Sequence, residues 1–288
     1  MNFGKGEGFL QFQTTLASAV AYEGVGLHSG RKVHMELQPA PAGTGLVFVR
    51  TDLPKVPMIR AIAANVASTV RATTLEEANA KVFTIEHLMS AFHALGIDNC
   101  RIEMDAEEPP VADGSSQVFF ELMRNAGRKE LESPRRETVI DRVYRVDDPE
   151  NGRFVMAVPY DGFRVSFTSV NPHPLIGVQY EDFVVGEEVY GKEIAPARTI
   201  AYEKEVEALR QMGLGLGGTL ENVIVYNDDG WMNELRLEDE LVRHKILDVI
   251  GDLRLAGILR GHIIAVASGH AMNTELAKMI AADAGKLE

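Results

Sequence analysis

Residues 84–96 read TIEHLMSAFHALG and residues 243–257 read RHKILDVIGDLRLAG, and these two stretches decide the fold. Both space apolar residues at helical intervals, and both end at a glycine, Gly96 or Gly257, that suits a helix stop. An alternating strand follows each, NCRIEMDA (99–106) in the first half and GHIIAVASG (261–269) in the second. Next come Gly114-Ser115 or Gly269-His270, and then a helix ending at Ala126-Gly127 or Ala284-Gly285. The shared order reads as a duplicated plan; low residue identity leaves a coincidence of helix–strand–helix grammar as the alternative. It predicts an α+β fold of two similar two-layer α/β sandwich domains. His87 and His244 then fall near matching helix starts, at an interface where pockets tend to lie.

Short β-like runs precede each stretch. In the first half they are TTLASAVAY, RKVHMELQPA and GLVFVR, with a further β-rich stretch from Val56 to about Val82. The second half offers ETVIDRVYRV, RFVMAVPY, FRVSFTSV and VQYEDFVV. KELESPRRE (129–137) is polar and reads as a linker. The expected organisation is a flexible tail over 1–12, a first domain over 13–132, a linker at 133–137 and a second domain over 138–288. ARTIAYEKEVEALRQMG (197–213) reads as mostly helix, and ENVIVYN (221–227) as a strand.

The same two stretches carry chemistry. His244 and Asp248 are four residues apart on a helix, so their side chains share a face one turn apart and can close on one metal ion. His87 supplies a third ligand from another helix. Two imidazoles and one carboxylate leave a tetrahedral position open for water, the pattern of a catalytic zinc site. Glu86, beside His87, is then the general base for that water. Each piece also has a plainer reading. A His and an Asp at this spacing can be a solvated ion pair, and a carboxylate at a helix start is favoured by the macrodipole.

Composition narrows the partners. The chain has 288 residues, 45% hydrophobic and 25% charged, with 42 acidic against 29 basic side chains and a net charge of −13. That balance argues against nucleic acid, although a local basic pocket could still take an anionic small molecule. A lone cysteine, Cys100, excludes a disulfide framework and fits a reducing compartment. No apolar run approaches the roughly 18 residues of a membrane span, and the N-terminus lacks a signal-peptide core. A cytoplasmic protein is expected.

Among the other histidines, His270 stands out in SGHAMN (268–273), just after a strand and opening a helix. Asp252 shares the helix face of His244 and Asp248, where a buried carboxylate could orient a histidine; a solvated helix Asp is the alternative. His28, in GVGLHSG, is ambiguous, and His34, His93, His173 and His262 read as structural. The run GLGLGGT (213–219) lacks the GK[ST] ending of a phosphate loop and follows a helix, so it reads as a turn.

Taken together, GVGLHSG, TIEHLMSAFHALGIDN, ADGSS, IAPARTI, GLGLGG, RLEDELVRHKILDVIGDL and SGHAMN resemble, in order, the UDP-3-O-acyl-N-acetylglucosamine deacetylase family. The resemblance runs from about Gln13 to the C-terminus. It implies a zinc-dependent amidohydrolase that commits its substrate to lipid A biosynthesis. His87, His244 and Asp248 would bind Zn2+, and Glu86 would serve as base. His270 would act as acid or charge stabiliser, oriented by Asp252, and Thr199 would help hold the oxyanion. Lys245 would contact substrate. Whether Glu86 or protonated His270 delivers the proton to the leaving amine stays open at this level. The resemblance also implies a small insert in each domain, the second (around 195–227) forming an apolar passage for the acyl chain. Ile200 stands where the family commonly has Phe. The implied partner is the glycolipid nucleotide itself, with no nucleic acid, no integral membrane segment and a monomeric chain. The rival readings are a zinc amidase for another N-acyl sugar and a catalytically idle binding relative.

Overall fold

The computed structural model describes residues 12–285, so most of the expected N-terminal tail lies outside the described residues. The first half opens with β1 (Phe12–Leu16), β2 (Val20–Val25), β3 (Lys32–Pro39), β4 (Leu46–Arg50) and β5 (Met58–Arg60). Three short strands follow, β6 (Val66–Ser68), β7 (Thr74–Glu77) and β8 (Ala80–Phe83), then α1 (Glu86–Ala94), β9 (Cys100–Met104) and α2 (Gln117–Ala126). The chain crosses through β10 (Arg128–Pro134) and β11 (Thr138–Val139). The second half continues with β12 (Tyr144–Asp148), β13 (Arg153–Val158), β14 (Phe163–Val170), β15 (Val178–Val184) and a short turn α3 (Glu187–Val189) that widens into a π-turn to Ile194. It ends with β16 (Ile200–Tyr202), α4 (Glu203–Gln211), β17 (Ile224–Asn227), β18 (Gly230–Trp231), α5 (Glu240–Leu253), β19 (Leu259–Val266) and α6 (His270–Asp283).

The two main sheets have one topology. The first runs β2-β3-β9-β4-β5 and the second β12-β13-β19-β14-β15, with β11 added beside β19. In each, the strand after the central helix lies antiparallel to one neighbour (β3 or β13) and parallel to the other (β4 or β14). The helix–strand–helix plan therefore sits on matching sheets, and the fold is α+β with two similar sheet-and-helix sets. Period-two patterning explains the sheets. Val33, Met35 and Leu37 of β3 point inward, as do Leu259, Ile263 and Ala265 of β19, and their neighbours along the strand are more exposed. Helices α1 and α5 pack against each other between the sheets, and their faces join both halves into one continuous apolar core. Hence α1 is buried from Glu86 to His93.

Two local readings are corrected. Most of the polar segment taken as a linker, Lys129 to Pro134, is strand, because β10 pairs antiparallel with β1. Its polarity reflects exposure of this two-stranded ribbon rather than freedom of the chain. Ile200 to Tyr202, read as the start of a helix, is a strand in register with Ile224, Val225 and Tyr226. A β-branched and aromatic run next to a strand partner takes the ladder, and helix begins only at Glu203. Beside the main sheets stand two three-stranded ones, β16-β17-β18 in the second half and β6-β7-β8 in the first.

Candidate metal centre and catalytic site

The first turn of α1 faces the middle of α5. His87, His244 and Asp248 are all buried, and their ligand atoms lie within 4.8 Å of one another. The two imidazoles meet edge to face, with centroids 4.9 Å apart. Ala197 fixes one of them: its carbonyl accepts from His244 Nδ1 at 3.0 Å, which leaves Nε2 toward Asp248 Oδ1 at 3.5 Å. His87 is anchored through its backbone, whose carbonyl accepts from Ser116 Oγ at 2.7 Å. Burial, reinforced by His244, pushes His87 down to about 3, and burial also lowers His244. Both are neutral donors at ordinary pH, the state a metal needs. Burial opposes charge on Asp248, but Lys245 and His244 outweigh it and hold the carboxyl well below its usual range. Its Oδ2 accepts from Lys245 Nζ at 2.9 Å, whereas Oδ1 is buried with no hydrogen-bond partner among the described residues. A buried, ionised, unpartnered oxygen beside two neutral imidazoles fits a divalent cation.

A second cluster adjoins the first. Glu86, Asp252 and His270 also have donor atoms within 4.8 Å of one another, and here Asp252 has both carboxylate oxygens met by protein donors. His270 Nδ1 donates to Asp252 Oδ2 at 2.9 Å, as does Asn273 Nδ2 at 2.9 Å, and Thr73 Oγ1 donates to Asp252 Oδ1 at 2.6 Å. His270 Nε2 stands 3.9 Å from Glu86 Oε1. Burial pushes Glu86 up to about 7, with His270 opposing. Burial alone would lower His270, yet the charges of Asp252 and Glu86 raise it to about 10. The pair thus offers a carboxyl poised to exchange a proton near neutrality beside a protonated imidazole.

Both clusters open into one cavity of about 620 Å³. Thr199 and Lys245 line it near the clusters, and Ile200, Val206, Leu209 and Val223 give it an apolar wall. Ile200 is half-buried and also packs toward Ile176, Tyr226 and Leu241. Thr199 is held by its amide, which donates to the Gly114 carbonyl at 2.9 Å. The structure therefore brings Glu86, His87, Thr199, Ile200, His244, Lys245, Asp248 and His270 around one space, with Asp252 behind His270.

Three further side chains stand at the site, of which the sequence leaves His28 ambiguous and does not single out Glu108 or Thr73. His28 lines the cavity, and its Nδ1 accepts from the Gly215 amide at 3.3 Å. Glu108, fully buried, accepts from the His28 and Ser29 amides and from Thr84 Oγ1, just ahead of α1. Gly26 is needed there, since a Cβ on it would lie 2.2 Å from Glu108 Oε2. The GVGLHSG motif is thus a cradle for one buried carboxylate. Thr73 contacts both Glu86 and Asp252 and lies in an unremarkable RATTLEE run.

The family model described as UDP-3-O-acyl N-acetylglycosamine deacetylase matches residues 13–282. A protein of Anaeromyxobacter dehalogenans (strain 2CP-C) named UDP-3-O-acyl-N-acetylglucosamine deacetylase is 43% identical over 274 residues, covering 94% of this chain and 88% of its own length. One of that name from Hahella chejuensis (strain KCTC 2396) is 44% identical over 269 residues, covering 92% and 88%. Another, from Pseudomonas entomophila (strain L48), is 43% identical over 276 residues, covering 94% and 90%.

Proposed function

The chain belongs to the UDP-3-O-acyl-N-acetylglucosamine deacetylase family, and from that premise we propose how its residues perform the reaction. The enzyme hydrolyses the acetamide of UDP-3-O-acyl-N-acetylglucosamine, a step of lipid A biosynthesis, and the products are acetate and the free 2-amino sugar nucleotide. His87, His244 and Asp248 hold the metal, and the donor set fits zinc. When bound, zinc acts as a Lewis acid and lowers the pKa of water to roughly 7.

Glu86 takes the proton of the attacking water, general-base work worth typically ~10²–10⁴ in rate. The Thr199 hydroxyl donates to the developing oxyanion. The leaving amine must gain a proton. Protonated His270, with Nε2 toward Glu86 and Nδ1 fixed by Asp252, is positioned to supply it and to offset the negative charge of the transition state. Lys245 holds Asp248 and presents its ammonium to the same cavity, where an anionic nucleotide can be met. The acyl chain lies along Ile200, Val206, Leu209 and Val223.

The observation that carries this reading is the pairing of the two clusters. One has a buried oxygen without a protein partner among the described residues. Beside it stands a carboxyl–imidazole pair whose facing atoms, Glu86 Oε1 and His270 Nε2, stand 3.9 Å apart while Asp252 fixes the imidazole from behind. An idle binding protein has no use for the second cluster. No helix among the described residues is long and apolar enough to cross a membrane, and we place the reaction in the cytoplasm with the chain acting as a monomer.

The test is acetate release from the UDP-sugar with and without its 3-O-acyl chain. Turnover that depends on the chain is expected. Equal turnover of other N-acyl sugars would point to a broader amidase, and no turnover to a binding protein.

A further inference from the structure

Thr73 is fully buried and sits at the entrance to β7, in the first half of the chain. Its backbone amide donates to Glu86 Oε2 at 3.1 Å. Its hydroxyl donates to Asp252 Oδ1 at 2.6 Å, across 179 residues of sequence. One residue therefore ties the first residue of α1 to the last turn of α5. The far oxygen of the same Asp252 carboxylate receives His270, the first residue of α6.

We propose that Thr73 is a positioning residue for the deacetylation, setting the spacing between the base Glu86 and the Asp252–His270 pair. This rests on the proposed roles of those three residues. Asp252 is 1% exposed, and carboxylate oxygens in such a place cost free energy unless they are met by hydrogen-bond donors. Oδ2 has two donors, His270 and Asn273, and the hydrogen bond recorded at Oδ1 is the Thr73 hydroxyl. Without it one oxygen of a buried anion is left unmet, and the carboxylate is free to rotate away from His270. The backbone bond to Glu86 is independent of the side chain, so the hydroxyl is the part that substitution can remove cleanly.

The local chain conformation supports a dedicated role. Arg71, two residues earlier, has φ +64°, a left-handed conformation that a non-glycine side chain adopts at a cost. That turn carries the chain from β6 back toward the site and delivers Thr73 with both donors facing inward. The small β6-β7-β8 sheet thereby acquires a function: it holds the two Thr73 donors against Glu86 and Asp252.

The experiment compares Thr73→Val with Thr73→Ser in the full chain. Valine keeps the shape and removes the hydroxyl; serine keeps the hydroxyl and removes a methyl group. Loss of one hydrogen bond to a charged group predicts a fall in kcat of about 10- to 100-fold for Thr73→Val, with KM and metal content unchanged. Thr73→Ser should keep kcat within about threefold of wild type. In an Asp252→Asn background, Thr73→Val should add little. Active Thr73→Val, or a Thr73→Ser enzyme as impaired as Thr73→Val, would overturn the proposal and leave Thr73 as core packing. Should Thr73→Val not fold, the serine variant alone still decides, since a crippled Thr73→Ser contradicts a hydroxyl role. An inactive wild type would instead bring down the deacetylase reading itself.

Discussion

A Cβ placed on Gly251 would stand 2.1 Å from the carbonyl oxygen of Glu86. Helices α1 and α5 therefore touch backbone to backbone, one residue before His87 on one side and three after Asp248 on the other. This approach is what lets His87 of one helix meet His244 and Asp248 of the other. Gly251→Ala should force the helices apart, at about 1–3 kcal/mol of stability. It should also weaken metal binding, measured by competition with a chelator. Wild-type metal affinity in that variant would show that the close approach is not what sets the site.

Glu86 and His87 are neighbours with different expected failures. Glu86→Gln should lower kcat by about 10²–10⁴ while metal stays bound, because the side chain works on water. His87→Ala should lose metal. Metal analysis alongside single-turnover kinetics separates the two, and near-normal kcat in Glu86→Gln would remove the base assignment.

The meeting of His244 and Asp248 was legible because helical spacing alone puts them on one face, and the two similar sheet-and-helix sets were legible in two similar helix–strand–helix orders. Other features depend on contacts that no local pattern announces. Thr73 and Glu108 matter through partners far along the chain. Ile200 to Tyr202 turned out to be strand because β17 was there to receive it, and Lys129 to Pro134 because β1 was. In each case a tertiary partner decided what local propensity left open.

His270 carries a prediction in pH. Asp252 and Glu86 raise it to about 10, so its charged form is present below that value and lost as pH rises through it. If the imidazolium is needed, kcat falls on the alkaline side. A divalent cation nearby brings that limb below about 10. Asp252→Asn removes the leading favourable charge and should move the limb further toward acid. An unmoved limb would mean that another group sets it.

Ile200 carries a prediction about substrate choice. It lines the cavity while also packing toward Ile176, Tyr226 and Leu241. Each buried CH₂ is worth about 0.8 kcal/mol, so if the acyl chain lies along this wall, a change in its shape should alter chain-length preference. Measured kcat/KM across a series of acyl chains should show a shifted optimum in Ile200→Phe. Superimposable profiles would leave Ile200 as core packing only.

The most direct test of the account is stoichiometric reconstitution. Chelator-treated protein should be folded but inactive toward UDP-3-O-acyl-N-acetylglucosamine, and activity should return in proportion to added zinc, reaching its maximum at about one ion per chain, as the one proposed set of three protein ligands requires. An excess of zinc should then inhibit, because a further ion could take the position left for water. Full turnover by the metal-free protein would contradict the mechanism at its centre.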